Sequence, residues 1–324
     1  MFRKLRAVGL FAALLAGLYA GPSAADNFPT KPIKLILPYN PGGIIDYVGR
    51  ILAKHMGDAL GQTVVAENKP GAGGILGTDV AARSNPDGYT IVLMDPAIVI
   101  NPSLQEHVPY DLFNQLETIS LVSSSPEVLV VAPQLGLHSL QELVAYGKAN
   151  PGKLNFASAG VGTTPHLAAE LFKERTGIEA THVPYKGIGA SFTDLMSNKV
   201  QFAFSSIAGA LPFTTSGKVL PLATTGEKRT PVYPDKPTVQ ETGIKNFTVD
   251  LWLTVFGPKG IPKDAEAKLN GAIKTALKNP ELIAAFAKVG VEPRGTSPQE
   301  GAVFVKTEFD KWKHVIEGAN IKVN

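Results

Sequence analysis

One stretch constrains this chain more than any other: Pro38-Tyr39-Asn40-Pro41-Gly42-Gly43-Ile44-Ile45-Asp46. It follows the apolar run Ile33 to Leu37 and precedes a helical pattern with Val48, Ile51, Leu52 and Leu60 on one face, so it reads as strand, glycine turn, helix. Paired glycines free the backbone and clear Cβ atoms from the approach, while the first helical amides lack intrahelical acceptors and carry the positive end of the dipole. Such a turn is an anion site made of backbone, or a plain tight connection.

The same unit recurs. Strand 154–157 leads into Ser158-Ala159-Gly160-Val161-Gly162-Thr163-Thr164-Pro165-His166, where Thr164 is expected as N-cap and Pro165 as the first helical residue. Leu167, Leu171 and Phe172 give that helix a buried stripe, and Gly177 ends it. Between the two units, strand and helix alternate through strand 63–67, the glycine-rich opening at 70–77 and strand 89–94, which predicts an α/β fold with a largely parallel sheet. The apolar runs 119–122 and 128–132 flank a serine-rich break, expected as the crossing into a second lobe. Lobe 1 is expected to comprise residues 26–126 plus 251–324, and lobe 2 residues 127–250, with a cleft between them. Ser297-Pro298-Gln299-Glu300 is a capping box opening a terminal helix that buries Phe304, Trp312 and Val315.

With 324 residues, 44% hydrophobic and 18% charged, the chain can build two cores. Arg3, Lys4 and Arg6 precede an apolar segment ending in Ser23-Ala24-Ala25, the layout of a secretory signal cut after Ala25. Removing it leaves 28 basic and 28 acidic residues, so nothing favours nucleic acid or an anionic membrane. The absence of cysteine excludes disulfides, thiolate chemistry and Cys-bound metal. Together these predict a bacterial periplasmic protein, expected to be a monomer without cofactor.

Enzyme signatures fail. Neither glycine run contains Gly-Lys-Ser/Thr, Gly71-Ala72-Gly73 lacks the third glycine of a dinucleotide turn, and Phe156 stands where a nucleophile elbow needs glycine before Ser158. His166 and Glu170 share a helical face but have no third ligand in the pattern. An exported hydrolase acting through Ser158 would need a base that the sequence does not supply.

At this point the chain resembles the periplasmic solute receptors of tripartite tricarboxylate transporters, the Bug-type proteins. The matching residues are Phe28-Pro29-Thr30-Lys31-Pro32-Ile33, Pro41-Gly42-Gly43-Ile44-Ile45-Asp46, Glu67-Asn68-Lys69-Pro70-Gly71-Ala72-Gly73-Gly74, Pro86-Asp87-Gly88-Tyr89, Ile100-Asn101-Pro102, Ala157-Ser158-Ala159-Gly160-Val161-Gly162 with His166, Val183-Pro184-Tyr185-Lys186-Gly187, and Pro237-Thr238-Val239. The resemblance implies a two-lobed, type II periplasmic binding protein that passes a small carboxylate to a two-subunit membrane permease. A signalling receptor of the same fold is the alternative.

It also implies that Gly42, Gly43, Ile44, Ile45 and Asp46 on one side, and Ser158, Gly160, Gly162, Thr163, Thr164 and His166 on the other, grip the carboxylate, partly through water. Asp46 is expected to shape its own turn. Ile44 and Ile45 replace small or hydroxyl residues of the family pattern, Asp95-Pro96 replaces a hydroxyl-rich turn, and Ser205 replaces an aspartate suited to an amino group, which points away from amino-acid ligands. With Tyr39 these departures point to an apolar ligand body. An aromatic mono- or dicarboxylate such as a phthalate isomer is the first expectation, and aliphatic di- or tricarboxylates the second.

Overall fold

The computed structural model describes residues 28–322, so the expected signal segment lies outside the described residues. Strand β1 (Ile33–Leu37) is buried at every position but Lys34, as a central strand covered on both faces must be. It pairs in parallel with β2 (Val64–Asn68) and β3 (Thr90–Met94). Helix α1 (Ile44–Leu60) connects β1 to β2, ending at left-handed Gly61. Helix α2 (Ile75–Ala82) leads to β3, and α3 (Ala97–Leu104) and the short α4 (Leu112–Gln115) follow it.

Strand β4 (Leu116–Val131) joins the two halves of the molecule. After it come α5 (Leu140–Ala149), β5 (Leu154–Ser158), α6 (Thr164–Thr176), β6 (Ala180–Pro184), α7 (Phe192–Met196), β7 (Phe202–Ser206), α8 (Ile207–Thr215) and β8 (Leu220–Thr224). The chain returns through β9 (Asp250–Pro258), then α9 (Lys263–Ala276), α10 (Pro280–Lys288), the short β10 (Glu292–Pro293) and α11 (Pro298–Gly318). Strand order is β2-β1-β3-β9-β4-β7-β5-β6, with β8 and β10 also paired to β4. The first half of β4, through Pro126, runs antiparallel to β9, whereas from Glu127 onward it pairs with β7 and from Val128 with β8.

The serine-rich stretch is therefore no break. Ser123, Ser124 and Ser125 sit mid-strand and are buried. Arg294 donates to Ser124 Oγ at 2.7 Å and Ser125 Oγ donates to the Gly290 carbonyl at 2.7 Å, so two of the three hydroxyls find partners where apolar side chains were looked for. Helix α3 follows Asp95-Pro96, which reads as a turn, and α8 fills the stretch between β7 and β8. Pro102 and Pro212 lie inside them and read as breakers, but each helix is under ten residues long and needs few of the bonds a proline removes.

The terminal helix α11 begins with the expected capping box and buries Trp312 and Val315. It packs on α3 and β4 and also reaches α6 in the other half. Glu308 ties it down by accepting from Trp252 Nε1 at 2.9 Å and from Trp312 Nε1 at 3.1 Å.

Candidate ligand-binding site

A cleft of about 430 Å³ opens between the two halves at the carboxyl ends of the parallel strands, where ligands of open α/β sheets gather. One wall carries Tyr39, Gly73, Asp95, Ala97, Ile100, Asn101 and Leu104. The other carries residues 161–165, Ile188 and Ser206, and Glu127 and Leu251 come from the crossing strands. A hollow of about 330 Å³ among α4, α9 and α11 lies away from both glycine turns.

The second glycine turn forms part of the cleft wall. Gly160 (φ 126°) and Gly162 (φ 77°) hold conformations that side chains resist, and a Cβ on Gly162 would stand 2.1 Å from Leu104 Cδ2 of the opposite wall. The turn is braced from within. Gly160 N–H donates to Ser158 Oγ at 3.0 Å, Gly162 N–H to His166 Nδ1 at 3.0 Å, and the Thr163 hydroxyl to the Gly160 carbonyl at 2.7 Å. Ser158 Oγ lies 2.6 Å from His182 Nε2, and the His166 and His182 rings stack at 3.8 Å.

Both imidazoles are held neutral. Burial, then the neighbouring His182 and Lys173, lower His166 to about 3, and burial, then Lys173, lower His182 to about 4. So weak a base beside a fully buried Ser158 is no hydrolytic pair. Its effect is structural: it fixes the turn that opens α6.

The N-cap of α6 is Thr163, one residue earlier than expected, and its hydroxyl turns back to Gly160 rather than capping. The first helical bond to the cap runs from Leu167 N–H to the Thr163 carbonyl. Pro165 has no N–H, so the Thr164 and His166 amides are left to whatever occupies the helix end. No acidic residue stands in this first turn.

The first glycine turn is different. Asp46 is 7% exposed and accepts from Gly42 N–H at 3.1 Å, Asn68 Nδ2 at 2.9 Å and Arg50 at 2.8 Å. The Arg50 bond above all, with those from Asn68 and Gly42, lowers its carboxyl to about 2 against the cost of burial. Ile45 is packed in the core, Ile44 is half-buried against it, and Gly42 and Gly43 are exposed; none of the four lines the cleft.

The structure thus brings Tyr39, Asp95, Gly162, Thr163 and Thr164 onto the cleft. Ser158, Gly160 and His166 form the layer behind it, and Ser205 is fully buried, donating to the Ser206 carbonyl at 3.1 Å. Asp95 is committed to Tyr39 Oη at 2.8 Å and Ala97 N–H at 3.1 Å, while burial raises its carboxyl. The sequence reading passed over His182, Asn101, Ser206 and Glu127. Glu127 had a signal: a single acid between three serines with a proline and the apolar run 128–132. The residue is 3% exposed, its carboxyl accepts no hydrogen bond from the described residues, and burial followed by the nearby Asp250 pushes it up to about 8.

The sequence profile of the Tripartite tricarboxylate transporter family receptor matches residues 48–321. The chain belongs to this family. It is 37% identical over 326 residues to Protein BugT of Bordetella pertussis, covering 99% of both chains. Among solved structures, R. palustris Rpa4515 with adipate is 30% identical with a TM-score of 0.76, covering 92% of this receptor and 100% of that chain. The periplasmic binding protein BugD is 34% identical with a TM-score of 0.73, at 91% and 100% coverage. The receptor fold is therefore that of two-lobed periplasmic binding proteins, and its family is one of solute receptors rather than enzymes.

Proposed function

We propose that this receptor captures a small carboxylate in the cleft and delivers it to a two-subunit membrane permease. The observation that carries the reading is the N-terminus of α6, where Thr163 and Thr164 line the cleft, the Thr164 and His166 amides have no partner among the described residues, and no acid stands in the first turn. A carboxylate held by backbone and hydroxyl donors is bound without a cation to strip away on release. Ala97, Ile100, Leu104, Ile188 and Leu251 surround the remaining space, which supports an apolar ligand body, with an aromatic acid such as a phthalate isomer as first choice. An aliphatic dicarboxylate is the second reading, favoured by the adipate held in Rpa4515.

The change of partners along β4 between Pro126 and Glu127 supports a hinge there, with lobe 1 comprising residues 26–126 plus 251–324 and lobe 2 residues 127–250. Export to the periplasm would follow cleavage after Ala25. A thermal-shift screen of the mature chain from Asp26 tests the reading. A bound acid at a hundred times its Kd adds about 2.7 kcal/mol of stability, and carboxylates are expected to be the class that does so. A screen in which amines or sugars stabilise the chain and carboxylates do not would overturn it.

A further inference from the structure

Glu127 lines the cleft with a carboxyl that no donor among the described residues reaches. Its backbone is pinned: the N–H donates to Thr225 Oγ1 at 2.8 Å and the carbonyl accepts from Thr225 N–H at 2.9 Å. The side chain is therefore placed by the strand rather than free to seek water. Burying a carboxyl without a partner is costly, and a glutamine would fill the same volume at lower cost. Among the described residues no lysine or arginine lines the cleft, and Asp250, across the strand pair from neighbouring Pro126, has the same sign.

We propose that Glu127 receives the protonated nitrogen of an amino-substituted carboxylate whose carboxylate lies at the N-terminus of α6, so that Glu127 sets the receptor's choice among acids. This rests on the carboxylate-receptor reading and replaces the phthalate-type diacid named there with an amino acid of similar apolar body. A zwitterion satisfies both ends of a cleft that offers helix amides on one element and an unpaired acid on another. At pH 7 the empty Glu127 carboxyl keeps its proton, so a second carboxylate meets a neutral donor, whereas an ammonium gains a charge pair once that proton leaves. The replacement of an aspartate by Ser205 does not weigh against an amino group, because β4 supplies the acid instead: Val128 pairs with Ser205 and Glu127 with Ser206.

Titration calorimetry on the mature chain and its Glu127→Gln variant, with 6-aminohexanoate, hexanoate and adipate, and with 4-(aminomethyl)benzoate, 4-methylbenzoate and terephthalate, tests this. The amino acid of at least one set is expected to bind about tenfold or more tighter than its methyl counterpart. Glu127→Gln should erase that preference while leaving the methyl acid's affinity within about twofold, and should melt no lower than the wild type because a buried unpaired acid is gone. At pH 7 capture of the ammonium form should release close to one proton, seen as a dependence of binding enthalpy on buffer. The empty carboxyl is held protonated by burial and Asp250, β7 faces it with uncharged Ser206, and the cations Arg294 and Lys311 act on Asp250. Diacids binding tighter than amino acids, or a preference that survives Glu127→Gln, would overturn the proposal and leave the receptor reading intact. Binding by none of the six acids would overturn the proposal, and the thermal-shift screen would then decide the receptor reading separately.

Discussion

The two glycine turns are the same local device put to different ends. Each follows a parallel strand and opens a helix, and each keeps a glycine at positive φ, Gly42 at 93° and Gly162 at 77°. At the first, the helix brings its own anion: Asp46, in the opening turn, takes the Gly42 amide and is neutralised by Arg50. At the second, the Gly162 amide is taken by a neutral imidazole, which satisfies the donor without adding charge. The positive end of α1 is answered by Asp46, and that of α6 has no acid in its first turn, which is what the proposed carboxylate site rests on. A glycine turn before a helix is thus only the potential for an anion site; the residue four positions after the glycine decides whether it is spent internally.

The sharpest way to break this comparison is Gly162→Val. The new side chain meets Leu104 across the cleft and forces a β-branched residue to positive φ, so carboxylate affinity should fall by about a hundredfold or more by calorimetry. Gly42→Ala, with open space around it, should cost about 1–2 kcal/mol of stability and leave affinity within about twofold.

Acid should distinguish the two turns next. The unfolded chain protonates its histidines near 6.5, whereas His166 and His182 stay neutral in the fold down to about 3 and about 4. Below pH 6.5 the unfolded state binds protons that the folded state refuses, so stability falls with pH, by up to about 1.4 kcal/mol per unit for each ring. Melting between pH 7 and 5 should show the drop, and His182→Gln, which can keep a bond to Ser158, should flatten it.

Asp46 acts in the same direction but in a lower pH window. Its folded value, about 2, is depressed, so its contribution is complete above the unfolded value near 4 and is lost as pH falls through about 2. Asp46→Asn should therefore cost about 2 kcal/mol at pH 7 without weakening carboxylate binding. The smallest effect is that of Thr164→Val, which removes one cleft hydroxyl and should cost about 0.5–1.5 kcal/mol of binding. An unchanged affinity would take that hydroxyl out of the site.

Much of this was legible along the chain. The strand-turn-helix order, the terminal capping box and the candidate turns all follow from glycine, proline and apolar spacing, which act locally. What local pattern could not show was pairing across distance. His182 looked like an isolated histidine on a strand, and only the β5–β6 pairing sets it beside Phe156, Ser158 and His166. Ser123 to Ser125 looked like a break because the partners of Ser124 and Ser125, Arg294 and Gly290, are about 170 residues away along the chain. Glu127 looked like a boundary residue. Its burial depends on β7, β8 and β9 closing around β4, which no run of neighbours encodes.

The most direct measurement is a crystal structure of the mature chain with the tightest-binding carboxylate from the screen. The carboxylate is predicted within hydrogen-bond distance of the Thr164 and His166 amides at the start of α6, with Asp46 still holding the Gly42 amide. A carboxylate seated directly on the amides of residues 43–45, with the start of α6 empty, would contradict the account.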